Sequence, residues 1–195
     1  MTRNKEEFVP TPSQTVGPFF HLGLTKGELR RQMAGANARG EHIRLMIRVI
    51  DADGAAVPDA MIEIWQADAS GKYNHPEDPQ DQTPDPAFCG FGRLPTDENG
   101  VAVFETVRPG GVPGIDGAVQ APHVSVHVFS RGILRHLSTR IYFAGDPANV
   151  DDAILRLVPA LRRSTLIASP CAREACTWKI DCRLGGEEET VFFDC

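Results

Sequence analysis

The chain has 195 residues, 42% of them apolar and 24% charged, which suits one globular domain whose core needs no disulfide or metal staple. A net charge of −6 excludes nucleic acid as the main partner, because phosphate binding needs a basic surface. No stretch approaches 18 apolar residues and the N-terminus, MTRNKEEFVPTPSQ, carries no apolar signal region, so a cytoplasmic chain without a membrane span is expected.

In chain order, the first segment, from Phe8 to Leu24, holds prolines at 10, 12 and 18 and glycines at 17 and 23, and does not read as a strand. Its three phenylalanines, Phe8, Phe19 and Phe20, would be costly to leave in water, so it is expected to pack against something. Lys26–Met33 reads as a short helix. Strands follow from period-two alternation over His42–Asp51, Ala60–Ala67, Val101–Val107, His123–Ser130, Ser138–Ala144, Thr165–Ala168, Cys176–Leu184 and Glu189–Phe193. Asn149–Val158 reads as a second short helix, with Asp151 and Asp152 in its first turn. Asp53-Gly54 and Asn99-Gly100 predict hairpins in which both central residues take positive φ. Asp68–Pro95, dense in Pro, Asp and Gln, is expected to be a long ordered loop. Many short strands with Pro- and Gly-rich connections predict an all-β fold, a mostly antiparallel β-sandwich with short helices and long ordered loops.

The five cysteines, Cys89, Cys171, Cys176, Cys182 and Cys195, are odd in number and include no CxxC pair, which favours free thiols over disulfides or structural zinc. The stretch His123-Val-Ser125-Val-His127 is chemically the richest. With Val124, Val126 and Val128 in a core, His123, Ser125 and His127 share the opposite face. His123 and His127 would stand about 13 Å apart on an extended strand, too far for one metal to bridge easily. A serine hydrolase is disfavoured, since no GxSxG elbow occurs.

Three stretches carry a family resemblance: IDADGAAVPDAMIEIWQADASGKY from Ile50 to Tyr73, FGRLPTDENGVAVFETVRPGGVPG, and RIYFAGDP. In order and spacing the chain resembles the intradiol ring-cleaving dioxygenases over about residues 10 to 193. The resemblance implies a ferric site made by two tyrosines and two histidines, at positions that fall here on Tyr73, Val112, His123 and Ser125. Two of the four are not ligands, because valine has no donor atom and a serine hydroxyl is a poor substitute for imidazole. An arginine found just before the first histidine in catalytic chains is also missing, since Gln120 begins the run Gln120-Ala-Pro-His123. Tyr142, the other tyrosine, lies in a stretch that is structural in the family.

Within the family the chain is most similar to the iron-free alpha chains of two-chain enzymes that cleave protocatechuate. That similarity implies no catalytic or metal residues here, with Fe(III) held by a beta subunit partner. It implies an N-terminal segment, 1–40, packing on that partner, followed by a sandwich domain, 41–195. Thr15, Gly17 and Pro18 would border the partner's substrate pocket, and so would Arg131 or Arg135. Two other readings stay open: a β-sandwich scaffold or binding module without a catalytic role, and a self-sufficient iron enzyme built on Tyr73, His123, His127 and Tyr142.

Overall fold

The structure is a computed structural model that describes residues 11–17, 20–25, 30–114 and 117–194. Ten strands and two short helices follow in the order α1 Phe20–Leu24, β1 His42–Ile50, β2 Met61–Trp65, β3 Phe91–Pro95, β4 Val101–Val107, β5 Val112–Pro113, β6 Val119–Gln120, β7 His123–Phe129, β8 Leu137–Phe143, α2 Ala153–Leu157, β9 Ile167–Pro170 and β10 Thr177–Arg183. Eight strands hydrogen-bond in the order β3-β2-β7-β8-β9-β10-β1-β4, while β5 and β6 form a separate hairpin. The short strand β9 joins β8 in parallel and β10 antiparallel, so the sheet turns over at that point and its two halves face each other. The β1–β10 pairing is also parallel. At the other edge Gly92 of β3 lies so near Phe104 of β4 that a Cβ would stand 2.9 Å from the ring. The all-β sandwich expected from the alternation is therefore present, nearly closed into a barrel.

Alternation explains the core. Ile43, Leu45, Ile47 and Val49 of β1 meet Ile62 and Ile64 of β2, Val124, Val126 and Val128 of β7, and Ile141 and Phe143 of β8. Between the two halves, the fully buried Gln66 donates to the carbonyls of Ala67 and Val107 and accepts from Thr106 Oγ1, so its amide leaves no polar group unsatisfied.

Several expectations change. Phe91–Pro95, taken as loop, is β3, held between β2 and the segment before β1 by the Arg30–Arg93 bridge. Arg30–Met33, expected to be helical, is extended: Arg30 and Gln32 bridge to β3 and β4, and Met33 is buried in the core. Residues 26–29 of that expected helix lie outside the described residues. Asn149–Val158 splits into a 3-10 turn, Pro147–Val150, and α2, because Asp152 caps α2 instead of lying in its first turn. Glu189–Phe193 makes a bridge from Phe193 to Ser138 and no strand. At the two hairpins Gly54 and Gly100 have positive φ, but Asp53 and Asn99 do not. The preceding aspartates explain this: Asp51 Oδ1 accepts from the amides of Asp53 and Ala55, and Asp97 Oδ1 from those of Asn99 and Val101. The cysteines at 89, 171, 176 and 182 are free thiols, and burial pushes that of Cys182 up to about 12.

Asp152 is fully buried and ties three elements together. It accepts from Leu155 N at 2.7 Å, from Tyr142 Oη at 3.0 Å and from Ala121 N at 2.8 Å. Replacing it with alanine strands three buried donors, so Asp152→Ala is expected to destabilise the fold by about 3 kcal/mol. Urea unfolding checks this; a loss below about 1 kcal/mol would mean that water replaces the carboxylate.

Candidate functional site

Tyr73 sits on the loop between β2 and β3, which is ordered by two buried carboxylates. Asp68 Oδ1 accepts from Ser70 N, Ser70 Oγ and Lys72 N, and its Oδ2 accepts from Asp85 N. Lys72 Nζ pairs with Asp78 Oδ1 at 2.9 Å and donates to the carbonyls of Asp78 and Gln80, which uses all three of its hydrogens. Asp78 Oδ2 then accepts from the backbone amide of Tyr73 itself at 2.8 Å. The Tyr73 ring stacks on Trp65 of β2, with centroids 5.9 Å apart and planes 6° from parallel.

Three adjacent strands supply the rest. On β7 the valines at 124, 126 and 128 are buried in the core, as the alternation requires, so His123, Ser125 and His127 share the other face. Residues directly opposite in antiparallel strands share a face. Ser125 lies opposite Trp65 of β2 on one side and opposite Arg140 of β8 on the other. His123 lies opposite Tyr142 in the same register, with ring centroids 5.9 Å apart. His123 Nδ1 donates to the Ala121 carbonyl at 2.8 Å, and burial first, then the Arg140 charge, lower its pKa. Arg140 Nη1 donates to Gln120 Oε1 at 2.8 Å, and Gln120 pairs with Val112 across the β5–β6 hairpin.

Strand register and these contacts link the four family positions in a chain of neighbours: Tyr73 to Trp65, Trp65 to Ser125, Ser125 to Arg140, Arg140 to Gln120 and Gln120 to Val112, with His123 two residues from Ser125 on β7. Their chemistry does not fit a ferric ion. Val112 is a buried hydrocarbon, and Ser125 offers a hydroxyl. Burial raises the Tyr73 pKa, although Arg140 opposes this, so the phenol stays neutral. Tyr142 cannot stand in, since its hydroxyl is buried and donates to Asp152, and burial pushes its pKa far up. His127 is bound to Ser138 Oγ instead, at 3.0 Å. Trp65 and Arg140 were not singled out for this face in the sequence, and Gln120 was noted only as the residue present where the resemblance implies an arginine. The alternation Ser138-Arg140-Tyr142 could have flagged Arg140, but only once β8 was paired with β7.

Those of the residues expected to border a partner's pocket that the structure describes lie on its exposed surface. Thr15 Oγ1 accepts from Gly132 N at 2.8 Å, which ties the segment to the turn after β7 that carries Arg131. Thr15, Gly17 and Arg131 are exposed, and Pro18 lies outside the described residues. Arg135 is also exposed and lies 3.9 Å from Asp194. Of the expected partner-facing apolar groups, Phe20 is half-buried, Phe19 is outside the described residues, and Val112 is buried. Val119, Leu134, Leu22 and Leu24 are the exposed ones nearby in sequence. A groove of about 860 Å³ lies on the outer face of β1 and β10 between Arg48, Lys179, Asp181 and Leu161, away from this site.

The loop that holds Tyr73 gives a pH test. Burial opposes the charge on Asp78, but Lys72 and the amides of Gln80 and Tyr73 outweigh it and hold the carboxyl at about 2, against an ordinary 3.8. A depressed carboxylate stabilises the fold above its unfolded pKa and loses that contribution as pH falls through the folded one. Asp78→Asn is therefore expected to cost about 2 kcal/mol at pH 7, with the gap closing between about pH 4 and pH 2. A gap that is constant over that range would mean that shape, not charge, holds the loop.

Comparison with known proteins fits this geometry. The dioxygenase family model matches residues 16–186. The protocatechuate 3,4-dioxygenase alpha chain of Pseudomonas putida is 40% identical over 96% of this chain and 98% of its own length. The corresponding beta chain of Burkholderia cepacia is 33% identical over 85% of this chain and 70% of its own. Among solved structures, the dioxygenase domain of a Streptomyces sp. SirexAA-E carbohydrate-binding fusion superposes with a TM-score of 0.62 at 24% identity, covering 91% of this chain and 99% of that one, which speaks for the fold. With its sandwich fold, a family model that spans most of its length and relatives at this level of identity, the chain belongs to the intradiol ring-cleavage dioxygenases.

Proposed function

We propose that this chain is the alpha, iron-free subunit of a cytoplasmic protocatechuate 3,4-dioxygenase, and that it shapes the substrate pocket of an iron-bearing beta subunit. The assembled enzyme would insert both atoms of O₂ into protocatechuate, cleaving the ring between its hydroxyls to give 3-carboxy-cis,cis-muconate in aromatic catabolism. Activation of the bound diol at a ferric ion is assigned to the beta chain. No step runs through the residues at positions 73, 112, 123 and 125 of this chain.

The observation that carries this reading is the Thr15–Gly132 bond. It ties the N-terminal segment to the Arg131 turn and leaves both on the exposed surface, as a wall contributed to another chain's pocket requires. Similarity to both alpha and beta chains supports the same assignment. Under it, the segment within 1–40 that meets the partner is its first part, with Thr15, Gly17 and Pro18 at the pocket. Residues 30–38 pack on the chain's own sandwich. The substrate carries a carboxylate, and the Arg131 guanidinium is its natural counter-charge. Among the described residues Arg131 forms no ion pair, whereas Arg135 approaches Asp194.

Two measurements test the reading. The chain purified alone should contain no stoichiometric iron and show no tyrosinate-to-iron colour, since two surviving donors are fewer than the three that catalytic metal sites usually keep. Stoichiometric iron in the isolated chain would overturn it. In the assembled enzyme, Arg131→Ala should lower kcat/KM for protocatechuate by about 30-fold, the loss of one charge-assisted contact, with iron content unchanged. Unchanged kinetics would remove Arg131 from the pocket.

A further inference from the structure

We propose that Arg140 is this chain's built-in cation: its guanidinium stands among the four family ligand positions, so the site is filled and not merely short of donors. The inference concerns this chain's own site and does not depend on what a partner holds.

The register makes the case. Ser125 faces Arg140 directly across the β7–β8 ladder, and the next same-face pair along is His123–Tyr142. Arg140 is therefore the immediate neighbour of one family position and the diagonal neighbour of another. Its Nη1 reaches Gln120 Oε1 at 2.8 Å, and Gln120 is the cross-strand partner of Val112, the third position. Trp65, on the far side of Ser125, carries Tyr73, the fourth, stacked on its ring. Arg140 thus adjoins Ser125 and His123 directly, and is linked to Val112 through Gln120 and to Tyr73 across Ser125 and Trp65.

Gln120 sharpens the argument. It stands where catalytic relatives carry an arginine, and here its amide oxygen accepts from an arginine brought in on the neighbouring strand. Among the described residues no carboxylate pairs with Arg140, so its charge stays directed at the site. A guanidinium does not give up its proton in a protein, so this cation is permanent. An incoming metal ion would meet like charge as well as missing donors. The consequence is selectivity in assembly, because iron supplied to a mixture of related chains cannot settle in this one.

The test restores donors with and without the cation. Ser125→His adds a third donor to Tyr73 and His123, and Val112→Tyr a fourth. With Arg140 in place, the chain carrying Val112→Tyr and Ser125→His should stay below about 0.1 iron per chain when loaded with ferrous ammonium sulfate in air. Adding Arg140→Gln should bring it to about one iron per chain with a visible tyrosinate-to-iron band, and adding Arg140→Lys should not. Val112 is buried, so if its replacement abolishes cooperative thermal unfolding, the same three backgrounds are compared with Ser125→His alone, which still offers three donors. In a co-purified complex the increment over the parent complex is read instead. Iron uptake with Arg140 present, uptake by the lysine variant, or no uptake by the glutamine variant would each overturn the proposal.

Discussion

The register of β2, β7 and β8 is the constraint on which the rest of the site depends. Because side chains alternate with a period of two, a slip of one residue on β7 would send His123 and Ser125 into the core and Val124 and Val126 out of it. The buried valines forbid that slip, and in doing so fix Trp65, Ser125 and Arg140 in one row across three strands. The site is thus a by-product of core packing: hydrophobic burial on one face sets the polar neighbours on the other.

Buried charge does the remaining positioning, and in each instance the charge is satisfied. Asp68 and Asp78 organise a loop between β2 and β3 that has no regular ladder of its own, using backbone amides and one lysine. Asp152 does the same for the start of β7, through Ala121, and for α2. A long connection can be ordered in a compact domain when its amides converge on carboxylates in this way, since buried polar groups are tolerated only when paired. The outcome is a tyrosine held face to face with Trp65 in a place where a metal is absent from the chemistry of the donors.

Alpha and beta chains are both among this chain's relatives, at 40% and 33% identity, so the family's sequence pattern is recognisable in either type. Val112 and Ser125 remove donors, while the Gln120–Arg140 pair reorganises charge. None of these four side chains lies in the row of core-facing valines on β7, although Val112 is itself buried.

The sequence by itself determined the strands whose two faces differ in burial. The alternation in His42–Asp51, Val101–Val107 and His123–Ser130 marks β1, β4 and β7 to within a residue or so, because burial of one face leaves a period-two trace. The sequence's resemblance to the family also implied where the family positions fall, at Tyr73, Val112, His123 and Ser125. It could not show β3, whose five residues include a glycine and a proline and are held by neighbours on both sides. Nor could it show that Arg30–Met33 is extended, because the bridges to β3 and β4 override a local helical preference. The glycine-only positive φ at the hairpins, the split of Asn149–Val158 at Asp152 and the place of Arg140 were likewise decided by tertiary structure. Each rests on a partner distant in the chain or on a side chain that competes for backbone amides, and neither leaves a periodic trace in the order of the residues.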